Sequence, residues 1–236
     1  MHRLSLRRYR FGYGLKRAMR KGGMLIAALL GLSGPVFAQD DTIVIAAFGD
    51  SLTAGYGLPV EDGFVPQLQR WLDAQGVDVI VQNAGVSGDT TAGGLARLDW
   101  VLGDDVDAVI VELGANDMLR GLDANAARAN MDEILSRISA RGLPILVSGM
   151  KAPPNFGAEY QRIFNSMYGE LAAQYGAEFH PFFLQGLGSN VSISALSQLM
   201  QPDGLHPNAE GVTKIVADIG PYVLKLIARV SSDGAQ

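Results

Sequence analysis

The sequence predicts one α/β domain, a three-layer α/β/α sandwich built on a parallel sheet. Three observations carry this. Beyond residue 42, five short Val- and Ile-rich runs are almost unbroken in apolar character, as strands covered on both faces should be. Segments of helical period lie between them, and strict alternation of strand and helix implies parallel strands joined by right-handed crossovers. A chain of 236 residues, 48% hydrophobic and 18% charged, suits one domain with a sizeable core rather than disorder.

The strands are predicted at 43–48, 77–82, 108–113, 145–148 and 178–180. Helices are predicted at 65–74, 92–102, 124–140 and 159–174. Asp123 caps the third of these, and Gly142-Leu143-Pro144 ends it. A last helix opens at Ala209 and is expected to stop near Ile219. There Gly220-Pro221 interrupts it, and Pro221 begins a further turn or two.

Residues 1–38 read as a signal peptide, leaving a domain over 39–236. They hold eight Lys and Arg and no Asp or Glu. An apolar run over 24–32 follows, and Val36-Phe37-Ala38 precedes Gln39, so cleavage is expected after Ala38. The protein is therefore expected to be periplasmic or secreted. The apolar run is too short to span a bilayer comfortably, so no membrane anchor is expected to survive processing. Met19 offers a more usual start for such a leader than Met1.

The remainder carries 11 basic against 24 acidic residues, a net charge of −13, which repels phosphate and excludes nucleic acid as a partner. There is no cysteine, so a disulfide framework, a thiolate zinc site and a thiol nucleophile are excluded. Two separated histidines, His180 and His206, do not make a metal site, and none is expected.

Chemistry in an open parallel sheet gathers beyond the carboxyl ends of the strands. After the first strand comes Gly49-Asp50-Ser51-Leu52, where Ser51 can present its hydroxyl at the sheet edge. Asp50 or Ser51 can equally cap the next helix. After the second comes Gly85-Val86-Ser87-Gly88-Asp89-Thr90, where Gly88 permits close backbone approach just before a helix start; Asp89 or Thr90 can serve there as a cap. After the third comes Gly114-Ala115-Asn116-Asp117, either an uncharged amide donor at Asn116 or an Asn-Asp turn. Near the end, Asp203-Gly204-Leu205-His206 sets an acid three residues before a histidine. Asp203 can hold one ring nitrogen while the other faces a nucleophile. His180, between a strand run and Pro181, reads as structural. Together the segments supply a nucleophile, a base, an orienting carboxylate and oxyanion donors, the parts that acyl transfer needs.

These four blocks, in this order across residues 42–208, resemble those of the SGNH or GDSL hydrolases. The runs 87–90 and 94–98, and Val111-Glu112-Leu113-Gly114 leading into Asn116-Asp117, are similar to the bacterial periplasmic arylesterase, acyl-CoA thioesterase I and lysophospholipase group. The resemblance implies a flavodoxin-like sheet in the order 2-1-3-4-5. It implies Ser51 as nucleophile with His206 and Asp203 as partners. The Ser51 and Gly88 backbone N–H groups and the Asn116 side chain become oxyanion donors. It implies a serine esterase acting on aryl or acyl esters, possible thioesters or lysophospholipids, with no cofactor. A carbohydrate O-deacetylase and a non-catalytic binding module stand as alternatives. A small-molecule ester is the expected partner, and a monomer the favoured state. Substrate contacts are expected from Ala115, Met150, Pro153 and Phe156. The connections 149–160 and 182–200 are candidate walls of an acyl groove, while Lys151 and Arg120 read as solvated surface charges.

Overall fold

A computed structural model of the chain describes residues 42–188 and 193–233, so the expected leader lies outside the described residues. Five parallel strands form one sheet in the order 2-1-3-4-5: β1 (Ile43–Gly49), β2 (Val79–Gly85), β3 (Ala108–Glu112), β4 (Ile145–Ser148) and β5 (Glu178–His180). The order matches the expected one, and all five strands occur, four of them within a residue of the expected bounds. Every residue of β3 and β4 is buried, which explains why these runs lack an alternating pattern. Gly49 pairs with both Gly85 and Glu112, so the carboxyl ends of β1, β2 and β3 finish level along one edge.

Eight helices accompany the sheet among the described residues: α1 (Ser51–Ala54), α2 (Phe64–Ala74), α3 (Thr91–Val101), α4 (Ala115–Leu119), α5 (Ala124–Ala140), α6 (Ala158–Gln174), α7 (Ile193–Ser197) and α8 (Ala209–Asp233). Helix α2 packs on α8, while α5 packs on both α3 and α6, giving the two outer layers. Asp123 caps α5 by accepting from the Asn125 N–H at 3.0 Å, as its position predicts.

Two boundaries differ from expectation. Helix α8 runs through Gly220-Pro221 without a break. Proline removes one backbone donor there, a cost of about 3 kcal/mol. The apolar stripe Val212, Ile215, Val216, Ile219, Val223 and Leu226 is buried on both sides of Pro221 and offsets it. Gly220 is needed for that packing, because a Cβ there would lie 2.7 Å from the Trp71 ring. Strand β2 starts at Val79 rather than Val77 because the close of α2 uses Val77. The Val77 N–H donates to the Leu72 carbonyl and that of Gly76 to Asp73, with Gly76 at φ +74°, a left-handed helix stop. The strand continues instead to Gly85, through Asn83, in register with β1.

Candidate active site

Chain order delivers four segments to the level edge. Ser51 opens α1 two residues beyond β1. The Asp50 carboxylate caps that helix, accepting from the Leu52 N–H at 3.0 Å, so Asp50 does serve as a cap and in doing so sets the backbone of Ser51. A side chain at Gly49 would collide with Thr53 and the Glu112 carbonyl, and one at Gly85 with the backbone of Ala54, which explains why glycines flank the turn.

The Ser51 hydroxyl lies 2.9 Å from His206 Nε2, and His206 Nδ1 lies 2.6 Å from Asp203 Oδ2. Asp203 Oδ1 accepts from the Leu205 and His206 backbone N–H groups at 2.9 and 3.0 Å. These bonds to His206 and Leu205 hold the Asp203 carboxyl down at about 2. An ionised Asp203 on Nδ1 fixes the tautomer in which Nδ1–H donates and Nε2 accepts from Ser51. Gly204 sits at φ +66°, which lets four residues close this local turn. The turn is tied to the Ser51 segment by Gln201, whose amide donates to the Tyr56 carbonyl at 2.8 Å and to the Pro207 carbonyl at 3.0 Å. The Tyr56 ring packs 4.7 Å from the imidazole.

Gly88 and Asn116 face the same space. Gly88 adopts φ +85° ahead of α3, which Thr90 caps through the Gly93 N–H. Asn116 lies in α4, directly after Gly114 at φ +114°; a side chain at Gly114 would strike the Tyr168 hydroxyl. Asn116 Nδ2 donates to Asp50 Oδ2 at 3.1 Å. Asp117 ties the two loops together, accepting from the Thr91 N–H at 2.8 Å and the Thr91 hydroxyl at 2.6 Å.

A cavity of about 640 Å³ opens over Ser51, Gly88, Asn116 and His206, a volume within the range of small-molecule sites. Its walls are mainly apolar, with Met118, Met150, Phe182, Leu184, Leu187 and Met200 prominent. Ala115 and Met150 line it as expected. Pro153 and Phe156 do not: the ring of Phe156 turns back onto Tyr160 of α6, with centroids 5.4 Å apart, and the wall is supplied from the 182–200 connection instead. Lys151 and Arg120 are exposed, in keeping with surface charges, and each also makes a contact at the site. Lys151 lines the cavity with its ammonium 5.1 Å from the Phe182 ring centre, and Arg120 donates to the Gly88 carbonyl at 2.6 Å.

Sequence reasoning missed Arg97. Its guanidinium pairs with Asp89 at 2.6 Å, donates to the Ala84 and Gly49 carbonyls at 2.8 and 2.9 Å, and lies 4.5 Å over the Phe48 ring. It therefore clamps the ends of β1 and β2 to the loop bearing Gly88. Glu112 enters the sequence reading only as part of the run 111–114. A carboxyl in an otherwise apolar strand was the signal available, because an acid is almost never fully buried without a partner.

His180 is structural, as its setting suggested. It is fully buried, with Nδ1 2.9 Å from the Ser148 hydroxyl and Nε2 2.8 Å from Asp218.

The chain is also similar to known proteins. Residues 47–214 match the model of the GDSL-like Lipase/Acylhydrolase family. The chain is 37% identical over 212 residues to Esterase TesA of Pseudomonas aeruginosa, covering 89% of this chain and all of that one. It is 34% identical over 175 residues to Thioesterase 1/protease 1/lysophospholipase L1 of Escherichia coli, covering 73% and 78%. Among solved structures, AlinE4, described as an SGNH-hydrolase family esterase, is 45% identical with a TM-score of 0.64, covering 78% of this chain and 96% of that one. With its strand order, its strand-end blocks and a family match across most of its length, the chain belongs to the GDSL-like lipase/acylhydrolase family and is a hydrolase.

Proposed function

We propose that the chain is a serine esterase that cleaves hydrophobic acyl and aryl esters, and thioesters, through an acyl-enzyme formed on Ser51. The observation that carries this reading is the continuous chain Ser51–His206–Asp203, with 2.9 and 2.6 Å links, at the mouth of an apolar cavity. His206 Nε2 takes the hydroxyl proton as Ser51 Oγ attacks the carbonyl carbon. Asp203 stabilises the imidazolium that results. The oxyanion is received by the Ser51 and Gly88 backbone N–H groups and the Asn116 amide. The imidazolium then returns its proton to the departing alcohol or thiol, and water, deprotonated by His206, releases the acid.

The apolar wall favours a hydrocarbon acyl or aryl group over a sugar, whose hydroxyls would lack partners there. Lysophospholipids fit the same acyl site. The chain is further proposed to be exported and cut after Ala38; N-terminal sequencing of the exported protein tests this, and an intact leader on it contradicts it. Among the described residues no helix is long and apolar enough to cross a membrane. The substrate reading is tested by turnover of p-nitrophenyl esters from acetate to laurate beside an acyl thioester, a lysophospholipid and an acetylated sugar. A kcat/KM that rises with chain length beyond acetate is the expected result. Preference for the acetylated sugar would replace this reading with that of an O-deacetylase.

A further inference from the structure

Directly behind the nucleophile turn lie two carboxyl groups that the mechanism does not use. Asp50 and Glu112 are 0% and 1% exposed. Among the described residues neither forms an ion pair with Arg or Lys. Their donors are unequal. Asp50 Oδ1 accepts from the Leu52 N–H and Oδ2 from the Asn116 amide. Glu112 Oε2 accepts from the Thr53 hydroxyl at 2.9 Å and, more weakly, from the Asp50 N–H at 3.4 Å. Glu112 Oε1 is buried with no donor at all.

Two buried carboxylates side by side cannot both stay ionised at ordinary cost, so one keeps its proton. The donor pattern selects Glu112. An ionised Glu112 would leave a charged oxygen dry and unpartnered, whereas a protonated Glu112 becomes a donor with the neighbouring Asp50 carboxylate available to accept. Burial, and then the neighbouring Asp50 charge, push the Glu112 carboxyl well above its usual range; burial also raises Asp50, to about 6.

We propose that Glu112 is a positioning residue of the oxyanion hole: as a neutral acid it donates its carboxyl hydrogen to Asp50, and the single negative charge on Asp50 pins one hydrogen of the Asn116 amide. The second hydrogen on Asn116 Nδ2 is then left to face the cavity that Asn116 lines. Pre-aimed donors of this kind cost no reorganisation when the oxyanion forms. This inference rests on the esterase reading above.

The test is a double-mutant cycle on an aryl ester, reading kcat and KM for wild type, Glu112→Gln, Glu112→Leu and each of these in an Asn116→Ala background. A glutamine reproduces the donors and acceptors of a neutral glutamic acid but not those of a carboxylate. Glu112→Gln is therefore expected to restore most of what Glu112→Leu loses. Glu112→Leu is expected to lower kcat about tenfold or more while KM moves less than about twofold, a fraction of the 10²–10³ typical of a lost oxyanion donor. In the Asn116→Ala background the leucine substitution is expected to cost less than about twofold further, since the partner it acts through is gone. A folded Glu112→Gln protein with less than about a tenth of wild-type kcat overturns the neutral-donor assignment, whether or not the leucine variant folds. A leucine penalty that persists undiminished in the Asn116→Ala background overturns the route through Asn116. A wild-type protein that turns over no ester, or an Asn116→Ala protein with normal kcat, refutes the esterase or oxyanion-hole reading itself and so is told apart from failure of the Glu112 role.

Discussion

Among the described residues are two Ser–His–Asp arrays of nearly equal geometry. Ser51–His206–Asp203 has links of 2.9 and 2.6 Å; Ser148–His180–Asp218 has links of 2.9 and 2.8 Å. Distances do not distinguish them, but their surroundings do. The first opens onto a cavity of about 640 Å³ and carries Gly88 and Asn116 beside it. In the second, Ser148 and His180 are fully buried between paired strand ends. The ring is also reversed: aspartate holds Nδ1 of His206 but Nε2 of His180. Burial lowers the His180 pKa, with Asp218 opposing it less strongly, so this ring stays neutral as a spacer within the core. Three residue types within hydrogen-bond reach are thus insufficient for catalysis; space for a carbonyl and donors for its oxyanion complete the requirement.

Paired substitutions break or sharpen this contrast. The largest difference is expected between the serines. Ser51→Ala should cost on the order of 10⁴–10⁶ in turnover with the fold intact, while Ser148→Ala should leave turnover within about threefold at temperatures where it is folded. Steady-state rates on a p-nitrophenyl ester, with circular dichroism as the fold control, decide this. Comparable rate losses in both variants would void the distinction.

The aspartates come next. Asp203→Asn should lower kcat by about 10⁴, because an amide neither fixes the same tautomer nor stabilises an imidazolium. Asp218→Asn should leave kcat nearly unchanged, since an amide oxygen can still accept from neutral His180.

The smallest effects concern stability. Ser148→Ala leaves a buried ring nitrogen without a partner and should cost about 1–3 kcal/mol in denaturant unfolding. The His180 pKa lies below its ordinary 6.5 when folded, so the unfolded chain takes a proton that the native state refuses. His180 therefore adds no pH dependence above about 6.5 and costs stability as pH falls below it. The Tm advantage of wild type over a His180→Gln variant should shrink between pH 7 and pH 5. Glu112 works in the opposite sense. Its folded-state pKa is raised, so its contribution is fully present below about 4.5 and lost as pH climbs toward the folded value. Glu112→Gln should consequently gain Tm relative to wild type as pH rises from 4 to 8, a shift measurable by calorimetry.

Much of this site was legible because its parts sit in short stretches at strand ends. Ser51, Gly88, Asn116 and the 203–206 turn lie in connections between the predicted strands and helices, so local pattern marked them as candidates and the family resemblance assigned their roles. Four of five strand positions, to within a residue, followed from apolar periodicity, and the sheet order followed from the family resemblance. What escaped depends on pairings distant in sequence. Arg97 reaches Gly49 across 48 positions, and Ser148 meets His180 only because β4 and β5 are in register. The misplaced groove residues Pro153 and Phe156 show the same limit. A loop can be recognised as long, but which of its side chains turn inward is settled by what packs behind it, here Tyr160. Pro221 inside α8 escaped for a related reason, since a local breaker was outweighed by apolar burial on both sides of it.

The turn that joins acid to base has a mechanical consequence. Asp203 and His206 are three residues apart and are bonded through both side chain and backbone, so they travel as one rigid piece. The link from His206 to Ser51 instead bridges 155 positions. Displacement of that piece would open only the 2.9 Å gap to the hydroxyl and leave the imidazole correctly tautomerised. The acid–base pair is thus assembled locally, and only its contact with the nucleophile depends on packing between distant parts of the chain. That contact is supported by the Gln201 amide, grasping the Tyr56 carbonyl on one side and Pro207 on the other, and by the Tyr56 ring against the imidazole.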